Sequence, residues 1–522
     1  MSRADDEPDN IAELQKDWQR KEQALERDIR NLTAQVDWFK QQIFGAKSEK
    51  RPDMIPGQGL LDFGRHPLAN LLPSAPADVS VASHTRKTKS SSKEPGDENS
   101  QLRFSDDVPV QEISVPCPEL SGPNADDYDV ISEKYTYRLA QIPGSYVVLK
   151  YIRKVVKRQS DKTLKTTAAP SAIFDKSIAD VSFLAGMLVD KFAYHCPLYR
   201  QHQKLRDSGI DLSRSTLTNL SNRAIELLRP IHLAIISSII GGKHIGMDET
   251  PIKAGRKKKG KMRQAYFWPI CGDQGEIAFT YSPSRAGSHI REVLGDYQGT
   301  LLTDGYAAYS SYAASMSDIV HALCWAHARR TFIKAEKIEP EAAEQALQYI
   351  AVLYKIESNI KNLDLTAQDK LDYRVEHAKP VVNAFFQWAE LQCLRPDLDP
   401  SNPLSKALKY VLERQAGLMV FLQDPEVPID TNHLERALRP IPMGRKNYLF
   451  CWTEVGAELV GIIQSLIVTC RIQEVDPYRY LVDVLQRVGT HPAAKVHELT
   501  PRLWKEKFGQ NFLTSDLNSM GQ

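Results

Sequence analysis

A chain of 522 residues, 42% apolar and 25% charged, has an ordinary globular composition and is too long for one core, so several domains are expected. Its net charge of +2 does not by itself point to a nucleic-acid partner, although a local basic face matters more than the total. Seven cysteines (Cys117, Cys196, Cys271, Cys324, Cys393, Cys451 and Cys470) form no Cys-x-x-Cys pair, which excludes a disulfide ladder and points to a reducing, cytoplasmic setting. The acidic N-terminus MSRADDEPDN lacks a signal-peptide core, and no stretch approaches the ~20 apolar residues of a bilayer span, so no membrane partner is expected.

Apolar residues Ile11, Leu14, Trp18, Leu25, Ile29, Leu32, Val36, Phe39 and Ile43 follow a heptad seam with one polar gap. Residues 10–48 are therefore expected to form a coiled coil that joins copies of the chain, with a single amphipathic helix as the alternative. Residues 49–105 fill with Pro, Ser, Lys and Asp and read as a flexible linker, because such a composition buries too little apolar surface to offset ordering. Residues 106–165 read as short strands, clearest in Ser145–Val156.

Residues 175–235 are predicted helical. Within them LRDSGIDLSRSTLTNLSNRAIELL carries a helix, a turn at Ser208–Gly209 and a second helix capped by Ser213 or Ser215. This is helix-turn-helix grammar, presenting Arg214, Thr216, Thr218, Asn219 and Arg223 to DNA, although a plain helical hairpin carries the same signals.

From 243 to 337 the pattern turns to strands: HIGMDETPIKA, RQAYFWPICG and EIAFTYSPS, then a helix, GTLLTD, and DIVHALCW before the helix AHARRTFIKAE. The expected fold is an α/β core, a mixed sheet with flanking helices. Residues 338–425 return to helical periodicity, as in Leu347, Ile350, Leu353, Ile356 and Ile360, and read as an all-α insertion. The core resumes over 426–490, with a long apolar helix at Ala457–Ile472, and 491–522 reads as a C-terminal tail.

Two aspartates interrupt this apolar pattern. Asp248 falls in the strand-like HIGMDETPI, where Asp is disfavoured, and strand alternation sends its neighbour Glu249 to the opposite face. Asp304 ends GTLLTD just before Gly305, at a strand end of the kind that faces ligands in such sheets. A turn aspartate is the bland alternative for each. Glu435 is harder to read: Asn432-x-x-Glu435 also suits a capping box, and Asp430 rivals it as a ligand. Clustered carboxylates of this kind suit two divalent ions on a phosphodiester.

The segment KAGRKKKGKMR holds seven Lys or Arg in eleven residues, including Arg256, Lys257, Lys258, Lys259 and Lys261, and reads as a basic hairpin tip suited to phosphates rather than a merely solvated turn. Arg436, Arg439, Arg445 and Lys446 follow Glu435, and on a continuous helix Arg439 would share its face.

With these residues in view, the chain resembles transposases of the insertion-sequence-66 family, bacterial DDE transposases. FKQQIFGAKSEK resembles the end of the family's coiled coil and HCPLYRQHQKLRDSGIDLSRSTL its helix-turn-helix segment. HIGMDET, LLTDGYAAY and DTNHLERALRPIPMGRKNYLF resemble its three acidic motifs. The resemblance implies a ribonuclease-H-like core in which Asp248, Asp304 and Glu435 are catalytic and hold two Mg²⁺ (or Mn²⁺). It implies cleavage and strand transfer of double-stranded DNA at element ends and target, by a nucleoid-associated homo-oligomer with small accessory proteins. CWAHARR resembles a family signature after the second aspartate and nominates His327 to touch the scissile phosphate. Cys324 and His327 are two ligands, short of a zinc site. The family's four-cysteine ribbon is reduced to Cys117, so no zinc is expected, and Lys150, Arg153, Lys154, Lys157 and Arg158 are expected to form a basic face there instead. The alternative is a catalytically silent, transposase-derived DNA-binding protein.

Overall fold

The computed structural model describes residues 102–518 apart from 105, 107, 122–124, 143, 171, 175, 176, 259, 449, 450 and 452. The expected coiled coil, nearly all of the expected linker, and Lys259 lie outside the described residues. The described chain is a mixed α/β protein.

Its N-terminal module is a sheet of strands β2 (Val110–Val115), β3 (Tyr128–Ile142), β4 (Ser145–Arg158) and β5 (Leu164–Thr166), following a two-residue strand β1 (Arg103–Phe104). β2 and β5 are short, as expected, but β3 and β4 are not: they are 15 and 14 residues long and pair along their whole length. Nor do the basic residues of β4 form one free face. Arg153 is buried and donates to Thr136 Oγ1, Lys150 pairs with Glu112, and Arg158 pairs with Asp127. Only Lys154 among them is exposed. The residues just before this module are also folded, since Leu102 is buried and β1 pairs with strand β6 (Ile210–Asp211).

Next come helices α1 (Val181–Phe192), α2 (Leu198–Asp207), α3 (Arg214–Leu227) and α4 (Arg229–Ile240). The turn between α2 and α3 forms where expected. Gly209 takes φ of 80°, a left-handed conformation that glycine adopts without penalty, and Ser213 Oγ accepts from the Thr216 N–H at 3.0 Å as the α3 cap.

The central sheet has the order β10–β9–β7–β11–β12, with β8 paired to β9: β7 (His244–Met247), β8 (Thr250–Lys258), β9 (Lys261–Gly272), β10 (Ile277–Ser282), β11 (Gly299–Thr303) and β12 (Ile319–Leu323). Strands β7, β11 and β12 run parallel, and β9 is antiparallel to both β7 and β10. The segment read as one first strand is therefore two, β7 and β8, joined at Asp248–Glu249. Pro269 of β9 lies opposite this break. It has no N–H to continue the ladder, and its carbonyl accepts from the Asp248 N–H at 3.3 Å.

Helices α5 (Ser288–Leu294), α6 (Ala307–Ala314) and α7 (Trp325–Ala335) alternate with the later strands. Residues 340–422 then form a helical body: α8 (Pro340–Leu363), α9 (Ala367–Tyr373), α10 (Lys379–Cys393), α11 (Pro403–Leu412) and α12 (Gln415–Met419). It has its own apolar core, in which Trp325 of α7 packs against Phe385, Phe386 and Phe421.

Short helices α13 (Asn432–Leu438) and α14 (Pro440–Tyr448) lead to α15 (Glu454–Ile472). By length and composition this 19-residue helix could cross a membrane, contrary to the expectation that no stretch could, but most of it is buried inside the protein, packed on β10 and the surrounding helices. Ser465 Oγ accepts from Phe279 N, and a Cβ at Gly461 would lie 2.6 Å from the Phe279 carbonyl, so glycine permits this close seat. The expected tail is also folded. Asp483 of α16 (Pro477–Arg487), wholly buried, accepts from Arg487, from Trp504 of α17 (Pro501–Lys507) and from the Leu513 backbone, while Tyr151 donates to Asp516 at 2.7 Å. Buried polar partners hold this segment against the rest of the molecule.

Candidate active site

The parallel register of β7 and β11 pairs Gly246 with Leu302. Asp248 and Asp304 each stand two residues further on, so both leave the sheet at the same edge, just beyond the ends of their strands. Glu249 joins them. Because β7 stops before Asp248, strand alternation no longer governs Glu249, and one ligand atom from each of Asp248, Glu249 and Asp304 lies within 4.8 Å of the others. The expectation that Glu249 points to the opposite face is corrected by this break.

The three carboxylates differ in how they are held. Glu249, with a side chain only 3% exposed, accepts from Tyr309 OH at 2.7 Å and from Arg285 Nε at 2.8 Å. Arg285 also lies over the Tyr306 ring, 4.1 Å from its centroid. Asp304 Oδ1 accepts from the Tyr306 N–H at 2.9 Å, and Asp248 Oδ1 from the Glu249 N–H at 2.7 Å. Asp248 is thus left with little compensation. Loss of surrounding water, then repulsion from Glu249, Asp304 and Glu435, pushes its pKa up to about 7. Glu249 is also raised, chiefly by burial, and the fully buried Tyr309 hydroxyl is raised for the same reason.

Glu435 approaches from α13 but stands outside the three-carboxylate group. The capping box does not form: Thr431 is the N-cap residue, without a side-chain cap bond, and Asn432 donates instead to Asp430. That interaction also occupies Asp430, the rival ligand. Both Glu435 oxygens accept from Arg330 Nη2 of α7, Oε2 at 2.5 Å, and His327 Nε2 lies 3.9 Å from Oε1. Arg330 Nη1 in turn meets His327 Nε2 at 3.0 Å, and burial followed by the Arg330 charge lowers the His327 pKa. Arg439 does not share the Glu435 face on a continuous helix. It closes α13 as the C-cap residue, and Pro440 opens the next helix.

Cys324 is buried at the start of α7. Its sulfur accepts from both the backbone N–H and the hydroxyl of Thr431 at 3.3 Å, tying α7 to the start of α13. This is a packing role, and burial raises the thiol pKa.

The basic residues fall in three places. Arg256, Lys257, Lys258 and Lys261 are exposed at the far end of the β8–β9 hairpin, whose near end springs from Glu249. Arg436, Arg439 and Lys446 are exposed, while Arg445 donates to the Pro251 carbonyl and so fastens α14 to β8. On α3, Arg214 and Asn219 are exposed, Thr216 is half-buried, and Arg223 stacks over Phe174 at 4.0 Å. Sequence reasoning missed Glu249, Arg285, Tyr309 and the Arg330–Glu435 pair. Pro269 was the available signal for the first; the other contacts join segments up to 105 residues apart and leave no local mark.

A hard-oxygen cluster at the edge of a mixed sheet, with too little positive charge around it, defines a candidate divalent-cation site within an α/β core. Comparison with known proteins supplies the family. The model of the transposase IS66 family matches residues 176–459, more than half of the chain, and the IS66 C-terminal element matches 465–502. The chain belongs to the IS66 transposase family. Residues 31–113 match a model described as Transposase C of IS166 homeodomain, across the stretch expected to hold the end of the coiled coil and the linker. Two similar full-length relatives come from Sinorhizobium fredii (strain NBRC 101917 / NGR234). The uncharacterized protein y4jD is 29% identical over 93% of this chain and 97% of its own length, and the uncharacterized protein y4hP is 27% identical over 91% and 88%.

Proposed function

We propose that this protein is a DNA transposase that binds element ends and carries out divalent-metal-dependent strand cleavage and strand transfer on a ribonuclease-H-like core. The observation that carries the reading is the pairing of Asp248 and Asp304 at adjacent parallel strand ends, inside the segment matching the transposase family. The order β10–β9–β7–β11–β12, with β7, β11 and β12 parallel, supports the ribonuclease-H-like part of this reading.

In this reading Asp248, Asp304 and Glu435 are the metal-binding triad. Two ions, Mg²⁺ or Mn²⁺, would supply activation of the attacking oxygen and stabilisation of the leaving one. Carboxylates are the right donors for such hard ions, and burial followed by repulsion from Glu249, Asp304 and Glu435 raises the pKa of Asp248, an environment that a cation would relieve. Glu249, neutralised by Arg285 and hydrogen-bonded by Tyr309, supports the geometry from below. Exposed Arg256, Lys257, Lys258 and Lys261 hold backbone phosphates at the far end of the hairpin that springs from the site, and α3 reads the duplex with Arg214, Asn219 and Arg223. His327 faces the phosphate between Arg330 and Glu435. The heptad segment, outside the described residues, joins copies of the chain, and small accessory proteins complete the assembly.

The deciding experiment is nicking of DNA carrying the element's ends by the full chain with Mg²⁺. Cleavage should be present in the wild type and lost in Asp248→Asn. Tight DNA binding with no cleavage in the wild type at any Mg²⁺ or Mn²⁺ concentration would replace this reading with a silent DNA-binding protein.

A further inference from the structure

Glu249 and Glu435 are both glutamates beside two aspartates, and each is held by an arginine whose side chain is nearly half exposed: Arg285 at 44% and Arg330 at 47%. They differ in what else restrains them. Glu249 is also bound by the buried Tyr309, and its own side chain is 3% exposed. Glu435 is 28% exposed, and beyond Arg330 it has the His327 ring, whose Nε2 lies 3.9 Å away and whose pKa is lowered. Its helix is seven residues long, lacks a side-chain cap, and ends at Arg439 before a proline. A small re-aiming of Glu435 therefore breaks one ion pair and little else.

We propose that Arg330 is a positioning residue that acts as a latch. Without DNA it holds Glu435 back from Asp248 and Asp304. A DNA backbone phosphate takes the guanidinium and frees Glu435 to complete the carboxylate set. The inference rests on the proposed function of this site. Its physical basis is exchange between two acceptors of similar geometry, because a guanidinium fork binds phosphate and carboxylate in the same way. Once Arg330 turns to a phosphate, Glu435 is a carboxylate without its ion-pair partner beside Asp248 and Asp304, and a divalent cation bound among them lowers its energy. Linkage then requires that DNA tighten divalent-cation binding and that the cation tighten DNA binding by the same factor. The site would thus be assembled only on its substrate.

The test uses the full chain, Mn²⁺ as the metal and a fluorescein-labelled DNA duplex at constant ionic strength. Calorimetry measures Mn²⁺ affinity without DNA, and anisotropy measures duplex affinity with and without Mn²⁺. In the wild type Mn²⁺ should tighten the duplex about tenfold, within the usual range of such couplings. Arg330→Gln should bind Mn²⁺ several-fold more tightly without DNA, a gain that a merely structural role does not produce, and should lose the coupling. Arg330→Lys should restore part of it. Unchanged or weakened Mn²⁺ affinity in Arg330→Gln, or wild-type coupling in that variant, overturns the latch. If Mn²⁺ binding is absent, or survives in Asp248→Asn, the metal-site reading itself fails. Binding that is lost in Asp248→Asn but uncoupled from DNA in the wild type sinks the latch alone.

Discussion

The strand ends and the helix facing them are built by different forces. Met247 and Leu301 are wholly buried, and Asp248 and Asp304 continue strands locked by ladder hydrogen bonds on both sides. Helix α13 instead owes its place to two buried leucines, the Thr431–Cys324 contact and a single ion pair. A carboxylate on the sheet edge is fixed when the sheet folds, whereas one on a short, weakly capped helix can wait for a partner. The contrast teaches that carboxylates facing one site can be held with unequal rigidity, the least restrained standing on the element with the fewest contacts to lose.

The largest expected effect sets the two glutamates against each other. Glu435→Gln should lower Mg²⁺-dependent cleavage by about a hundredfold or more, as expected for loss of a group acting directly in catalysis, and Glu249→Gln by about tenfold or less. Single-turnover cleavage rates read this directly, and the reverse order would move the third ligand from α13 to the sheet. Next, replacing Arg256, Lys257, Lys258 and Lys261 together by Gln should lower the slope of log affinity against log salt by about 0.9 for each phosphate no longer neutralised. An unchanged slope would remove the hairpin from the DNA interface.

A structural test comes third. Backbone amides in 432–438 should exchange with deuterium at least tenfold faster than those of 244–247 and 299–303, and equal protection would erase the distinction between the two regions. The smallest effect concerns the sheet side. His232 of α4, which packs on β9 and β10, is pushed down to about 4, first by burial and then by Arg229. Between pH 6.5 and about 4 the unfolded chain accepts a proton that the folded His232 refuses. Stability from this group is therefore complete above pH 6.5 and falls as pH drops, by about 1.4 kcal/mol per unit. The melting temperature of the wild type should fall across that range, and His232→Gln should flatten the decline.

Much of the architecture can be read from short-range pattern. Ser213 caps α3 because a hydroxyl one residue before a helix satisfies an orphan N–H, and Gly209 turns the chain because it tolerates positive φ. The alternation of strand and helix from 243 to 337 announced a mixed sheet, and the acidic motifs pointed to the family. Position along the chain was enough for Asp304, whose strand ends in plain view before Gly305. It misled for Glu249, since alternation assumes a continuous strand and Pro269, some twenty residues later, opens a gap there. It was silent over 491–518, read only as a tail, where the fold supplies partners for Asp483 and a Tyr151–Asp516 bond across the molecule.

The amino-acid sequence by itself determined which residues are candidates for the chemistry: one aspartate inside a strand-like run and one at a strand end, a glutamate in an acidic motif, and a dense basic hairpin. These follow from local rules, because backbone propensity and side-chain type act over a few residues. Only the tertiary structure decided which carboxylates meet and which are held apart. That depends on the parallel register of β7 with β11 and on an arginine reaching α13 from α7, and such contacts form only when distant segments fold together.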